Sequence, residues 1–564
     1  MRIHLSPEQH TGPARATEKS CSIMFLQLLL LLLIPTCTEG MSVGVKFVAA
    51  FLENTAYYHP SPVYLSIWTM ALHDGTDVTV TTSGSTPYTA TAQLNSGQTQ
   101  VFNITSELEL DKSPTASKVV TITGTQNISV EILSSRNNSI QTAVLMPTAQ
   151  LAQEYHLPPI PEIQRTTVPS IDVTNLVTER SQFRLILVND DQNNNITLDG
   201  KSVNLSPGEV KQLWVDDTMK GKVVSGQAPF LALFGHPCAI QVNCTCGLLF
   251  TPLMPSRGVS ATFMVPAAFS ADVQLLRASS GDRETMSLVT VSDPGPVLLQ
   301  RPGLLVNLIP VEEFGACFAV HTVADAQNWA VVMAPSNSTA VLHVNADLVS
   351  PAPSWSSVGG TSYSWAKIPL DAGGTHVVWS ETALIAVWFI GEKTPGTMFG
   401  NPAVVLSKTP DFRGCVLVPE QVQVLEEQGS WQESVAACRG QDLDLISLND
   451  PRLQQNIYQK IQEQNQNQNL NLTEMWMGLR KSSYSGAWYW ISLDDLQHTD
   501  WAYGSPGNDD PEHCARISLV DPQRFAWTHQ NCCSQARPVC YRPPKLLTLP
   551  TPGAAAAAVK WVGQ

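Results

Sequence analysis

The chain has 564 residues, of which 43% are hydrophobic and 14% charged, and its formal net charge is −15. This length predicts about three or four domains, with ample apolar material for packed cores. The composition excludes a disordered polyelectrolyte or a coiled coil. The acidic balance, with Lys and Arg scattered, excludes nucleic acid as a partner, because no basic surface would release counterions from phosphates.

The first element is a short apolar run, Ile23 to Gln27 and then Leu28 to Ile34, followed by Pro35-Thr36-Cys37-Thr38-Glu39-Gly40. It is shorter than the roughly 20 apolar residues of a membrane span, and small residues follow it. Residues 1–40 are therefore expected to be a secretory signal peptide, cleaved near Thr38 to Gly40, with Met24 a candidate initiator behind an upstream extension. An uncleaved anchor is the alternative. No later segment is long and apolar enough to span a bilayer, so the mature chain is expected to be secreted.

Eight Asn-x-Ser/Thr triplets begin at Asn103, Asn127, Asn137, Asn195, Asn204, Asn243, Asn337 and Asn471, candidate glycosylation sites in an exported chain or chance matches in a Ser/Thr/Asn-rich one. Cys21 and Cys37 would leave with the signal. The remaining cysteines fall into two clusters: Cys238, Cys244, Cys246 and Cys317, then Cys415, Cys438, Cys514, Cys532, Cys533 and Cys540. In an oxidising compartment these are disulfides before they are metal ligands. The Cys-x-Cys at Cys244 and Cys246 leaves metal binding open.

Residues 41–405 read as strands and turns, in several β-sandwich-like units. Phe183, Leu185 and Leu187 alternate with Gln182, Arg184 and Ile186, which predicts one apolar sheet face. Ile196 to Leu198 and Val203 to Leu205 flank Asp199-Gly200, the signature of a type I′ hairpin. A strand, polar turn and second strand recur at Val119-Val120-Thr121 with Ile128 to Ile132, at Val223-Val224-Ser225 with Phe230 to Phe234, and at Val377-Val378-Trp379 with Leu384 to Trp388. A looser copy joins Phe318-Ala319-Val320 to Trp329-Ala330-Val331. Serial units each closing on a hairpin, or the ordinary hairpins of a β protein, would both give this pattern.

Four stretches carry a resemblance: FVAAFLENT, VLMPTAQLAQEYHLPP, FLALFGHPCAIQVNCTCGLLFTPLMP and IPLDAGGTHVVWSETALIAVWFIGE. In this order they resemble the N-terminal domain family of the IgG Fc-binding protein, across nearly all of residues 43–405. In that family a Gly-His, a cysteine pair and a later proline mark a looped-out disulfide. Gly235, His236, Cys238, Cys246 and Pro252 or Pro255 fill those places, which leaves Cys244 and Cys317 as a second pair. The resemblance implies binding or scaffolding in mucus or extracellular fluid. Antibody binding does not follow from it.

After Lys408-Thr409-Pro410 the composition shifts. Ser430 and Glu433 form a capping box that predicts a helix to Cys438, ending near Gly440. A strand is expected at Leu443 to Ile446. A second helix starts at Asn449-Asp450-Pro451, with Leu453 and Ile457 on its inner face. The Gln464 to Asn469 tract is expected to be a solvated loop. Trp476-Met477-Gly478-Leu479 and the strand Trp488-Tyr489-Trp490 follow, their tryptophans expected in the core.

The segment 411–543 resembles a C-type lectin-like domain, an α+β fold. WMGL matches that family's core tetrapeptide. Cys438 with Cys540 and Cys514 with Cys532 match its outer and inner disulfides, and Trp527 stands thirteen residues before Cys540 as the family requires. Cys415 and Cys533 are left over, and a third bridge between them is the economical expectation. Sugar-binding members share one calcium-sugar site built from a Glu-Pro-Asn or Gln-Pro-Asp triplet and a later Trp-Asn-Asp. Here those places hold Ser505-Pro506-Gly507 and Trp527-Thr528-His529, and Glu512 stands at a further ligand position. Calcium needs six to eight oxygens, so the standard site is not expected and calcium is not favoured as a cofactor. Asn508, Asp509 and Asp510 could offer a displaced set. Glu512, His513 and His529 are the weak candidates for zinc, whose ligands are imidazole and carboxylate.

No catalytic motif is present, so the chain is not expected to be an enzyme. The expected function is that of a secreted glycoprotein for extracellular binding, adhesion or mucosal defence. Its C-type lectin-like domain would meet a protein or glycan surface, with mucins among the candidates. A calcium-dependent carbohydrate-binding lectin and a structural mucus component are the alternatives. Residues 544–564, with an alanine run, are expected to be a flexible tail too weak for a GPI signal.

Overall fold

The computed structural model describes residues 42–548, except 56–60, 85–86, 162–181, 241–245, 257, 270–272, 286–289, 302, 351, 395–397, 469–471, 508–512 and 520–525. The expected signal peptide, Cys244, Asn243, Asn471 and most of the expected tail lie outside the described residues. The described residues divide into two compact units, one reaching Cys415 and including Thr548, the other Val416–Leu547.

The larger unit is built from strands. Its first sheet contains β1 (Val43–Ala49), β2 (Tyr64–Ala71), β3 (Thr76–Thr82), β4 (Thr89–Leu94) and β5 (Thr99–Ile104). The short β6 (Thr115–Ala116) joins another sheet, and β7 (Val120–Arg136) and β8 (Ser139–Val144) complete the first. The order is β4-β3-β7-β2-β5, with β1 and β8 also on β7. The first expected strand-turn-strand copy is thus a single 17-residue strand. β7 pairs with β3 up to Gly124 and with β2 from Ile128, so the polar residues between them mark a change of partner rather than a turn.

The other copies are also not hairpins. Val223–Gly226 and Leu231–Ile240 lie in different sheets, as do Thr375–Ser380 and Ala386–Glu392, and Cys317–His321 and Gln327–Pro335. In each case the turn carries the chain from one sheet to another. Val320, Val332, Val378 and Phe389, from the last two pairs, meet in one core. The Asp199-Gly200 turn does join a hairpin, Asn194–Leu198 with Lys201–Leu205, and both turn residues have positive φ (52° and 74°).

The strand Phe183–Val188 is buried at every position. Phe183, Leu185 and Leu187 enter one core, while Ile186 and Val188 enter the core of the first sheet. The expected polar face is therefore a second buried face. Arg184 is buried there because its guanidinium meets Glu53 Oε2 at 2.6 Å and Gln212 Oε1 at 3.1 Å.

Cys238 bonds Cys246, and Cys317 bonds Cys415. The second pairing corrects two expectations, Cys244 with Cys317 and Cys415 with Cys533. Cys317 starts the strand Cys317–His321, which pairs with Val404–Ser407, and the chain reaches Cys415 soon after leaving that neighbour. Cys533 is free and exposed.

Among the described residues the smaller unit has two helices, α1 (Trp431–Arg439) and α2 (Pro451–Gln468), and a seven-stranded sheet. The Ser430–Glu433 capping box is formed in full, and its hydrogen bonds to backbone and hydroxyl hold the Glu433 carboxyl below its usual range. The expected strand at Leu443 to Ile446 shortens to Asp444–Leu445. α2 runs through the Gln/Asn tract to Gln468, correcting the expected loop: no glycine or proline interrupts the tract, and Ile457 and Ile461 seat the helix in the core. Lys545–Leu546 pairs with Val416–Val418, so these residues belong to the unit and not to a tail.

Candidate functional site

The site grows from the sheet of the smaller unit. Cys514–Ser518 and Ala526–Gln530 are antiparallel, with Ile517 opposite Trp527 and Ala515 opposite His529. The Cys514–Cys532 disulfide closes this pair, and Cys438–Cys540 ties α1 to the sheet. Trp431 Nε1 donates to Met477 O (2.9 Å), and Trp476 Nε1 donates to Gly429 O (2.8 Å). The Arg516 guanidinium lies 4.1 Å from the Trp476 ring centre.

Trp527 is fully buried, and the rings of Trp490, Trp501 and His498 pack edge-on to it, centres 5.5–5.6 Å away. A ligand cannot reach it, so its place among the binding candidates is corrected: it supports the loops. Its backbone N–H donates to Asp500 O, and its carbonyl accepts from Ala502 N, both at 2.9 Å. These bonds lash the loop entering Ser505-Pro506 to the strand carrying Thr528 and His529.

Gln454 was not singled out by the sequence. Its amide donates to Asp500 Oδ2 (2.7 Å), and its Oε1 accepts from Trp527 Nε1 (3.2 Å). It also meets His498 Nε2 at 3.3 Å. The available signal was a polar side chain three and seven residues before Ile457 and Ile461, on the buried stripe of α2.

Ser505 and His529, from the two segments that hold the sugar ligands in the resembled family, are joined directly: His529 Nδ1 and Ser505 Oγ are 2.8 Å apart. Pro506 is half-buried beside Ser505. Asn508, Asp509, Asp510 and Glu512 lie outside the described residues. His513 Nδ1 and Thr528 Oγ1 are buried without a partner. Among the described residues no three His, Cys, Asp or Glu side chains gather as metal ligands would. The unit also shows large side chains to solvent at Tyr484, Leu493 and Tyr503.

Residues 427–542 match the family profile described as Lectin C-type domain. The human IgGFc-binding protein is 24% identical to this chain, over 72% of the chain and 8% of that protein. The human C-type mannose receptor 2 is 28% identical over 22% of the chain, again 8% of the relative's length. The chain thus spans a small part of each of these relatives. Human lithostathine, a solved structure, covers 22% of the chain at 18% identity, with 83% of its own chain aligned and a TM-score of 0.20. Residues 427–542 are therefore similar to C-type lectin domains, within a chain of which 72% is similar to the IgGFc-binding protein.

Proposed function

We propose that this is a secreted extracellular binding protein whose C-type lectin domain engages a protein or glycan surface without a shared calcium-sugar site. The observation that carries the reading is the His529–Ser505 hydrogen bond. Where sugar-binding members place carboxylate and amide oxygens from two segments, this chain places a hydroxyl and an imidazole that satisfy each other. A hydroxyl and an imidazole are poor calcium ligands, since calcium selects several anionic or carbonyl oxygens. Tyr484, Leu493 and Tyr503 support contact with a macromolecular surface, because aromatic and apolar groups held in water gain most by being covered. The disulfides fit an oxidising compartment.

The test is a calcium titration of the full chain by calorimetry, paired with a glycan array read with and without EGTA. The expected result is no calcium uptake at sub-millimolar concentration and binding that EGTA leaves unchanged. Monosaccharide binding abolished by EGTA would replace this reading with the calcium-dependent lectin.

A further inference from the structure

The larger unit contains sheet edges, and an open edge is a template for pairing with another chain unless something blunts it. Several edges in this unit carry a charge or a proline: Lys201 on Lys201–Leu205, Arg283 on Arg283–Thr285, and Pro402 on Met398–Pro402. β5 carries neither. Its sequence is TQVFNI, and among the described residues its backbone pairs with β2 alone, while the hydroxyl of Thr99 at its start meets Thr375 Oγ1 at 2.9 Å. One carbonyl on β5, that of Val101, is already met by the strand's own Gln100 side chain at 2.8 Å. The rest of that margin has no such local device.

β5 does contain the triplet Asn103-Ile104-Thr105. Phe102 and Ile104 point into the first core. By the two-residue alternation of a strand, Asn103 turns the other way and is exposed, together with Val101 at 42%. Thr105 is exposed as well and caps the short turn Ser106–Leu108 by accepting from Glu107 N. The whole acceptor sequence therefore sits at the bare margin of the sheet.

A second arrangement sharpens the point. Asn195 and Asn204 each begin a sequon, and they face each other across the hairpin, a direct cross-strand pair. Asn204 is exposed on the edge strand. Asn195 is half-buried on the inner strand, and its Oδ1 is enclosed. Side chains of such a pair stand about 5 Å apart, too close for two N-linked glycans to lie side by side. The outer sequon is the one with room.

We propose that Asn103 is N-glycosylated and that the sugar is the guard of the β5 edge, doing there what Lys201, Arg283 and Pro402 do on their own edges. A branched glycan at Asn103 is bulky and strongly hydrated, and it overhangs the backbone groups that a second strand would need. This proposal rests on the extracellular reading above, because the modification requires passage through the secretory pathway.

The test uses the full chain secreted from cultured animal cells. Glycopeptide mass spectrometry should find Asn103 mostly occupied, and Asn204 occupied in preference to Asn195. Asn103→Gln and Thr105→Ala both remove the sequon and should tighten self-association at least tenfold by sedimentation velocity. Hydrogen exchange should show new protection in β5, while the opposite edge β4, which has no sequon, stays unchanged. Asn103→Lys lacks the sugar but restores a charged guard, and it should stay monomeric, which separates edge shielding from a general solubility effect. Asn103 bare while other sequons carry glycans, or Asn103→Gln as monomeric as the wild type, overturns the proposal. Glycans absent from every sequon overturn the extracellular reading beneath it.

Discussion

In the larger unit the strand Phe183–Val188 is enclosed on both faces, and even its arginine is buried, its two terminal nitrogens paired with Gln212 and Glu53. In the smaller unit the core hangs on a few named fasteners: two disulfides, a capped helix, and the N–H groups of Trp431, Trp476 and Trp527, which find carbonyls or Gln454. The difference follows from size. A large unit buries enough surface to spread its stability over many strands, whereas a unit of about 130 residues gains proportionally more from cross-links. The large unit also encloses ionisable groups, which makes it sensitive to pH.

The largest expected effect tests the fasteners. Replacing Cys438 and Cys540 together by Ala opens a loop of 102 residues. The chain-entropy estimate for a loop of that length is about 5 kcal/mol, so calorimetry of the full chain should lose the transition of the smaller unit near 37 °C and keep that of the larger one. Loss of both transitions would break the contrast.

The next effect tests burial in the larger unit. Glu131 is wholly enclosed, and desolvation pushes its carboxyl up to about 8, opposed by a hydrogen bond with Thr142. Its Oε1 has no partner. A raised value means the folded form keeps a proton that the unfolded chain releases. Its stability contribution is full below pH 4.5 and is lost as pH rises through 8. At pH 7 the loss is about 3 kcal/mol, at 1.36 kcal/mol per pH unit. Glu131→Gln should raise the melting temperature of the larger unit at pH 7 and flatten its decline between pH 5 and 8. His321 sets the acid limb: burial, with His376 nearby, lowers it to about 4, so its contribution is full above pH 6.5 and lost as pH falls through 4. An unchanged pH profile in Glu131→Gln would mean that the carboxyl is not enclosed.

The smallest effect sharpens the comparison within the smaller unit. Gln454→Leu strands the Trp527 N–H and removes one hydrogen bond to the Asp500 carboxylate, and should cost about 2 kcal/mol. Tryptophan fluorescence should show the 501–505 loop loosening before the unit unfolds.

The smaller unit was largely legible in the sequence, because its signals are local. Ser430 and Glu433 announce a helix start, and the resemblance to C-type lectin-like domains implies the WMGL core strand and the Cys438–Cys540 and Cys514–Cys532 pairings. The tract after Gln464 misled because composition suggested a loop, while Ile457 and Ile461 continued a helix. In the larger unit periodicity failed where it matters most. Arg184 marks a polar face only if that face meets water, and burial on the second side is a tertiary fact. Val119 to Ile132 resembled two strands because one strand changes partners midway. Of the candidate site, Ser505 and His529 were visible as departures from the family pattern. Their hydrogen bond was not, since it depends on where two loops distant in sequence come to rest.

The pairing of Val416–Val418 with Lys545–Leu546 brings the two ends of the smaller unit side by side. A module whose entry and exit are neighbours can be spliced into a surface turn of a host fold without stretching either flank. Such a cassette travels between unrelated proteins by simple insertion, its own fasteners going with it, and asks of its new host only a short gap between two chain ends.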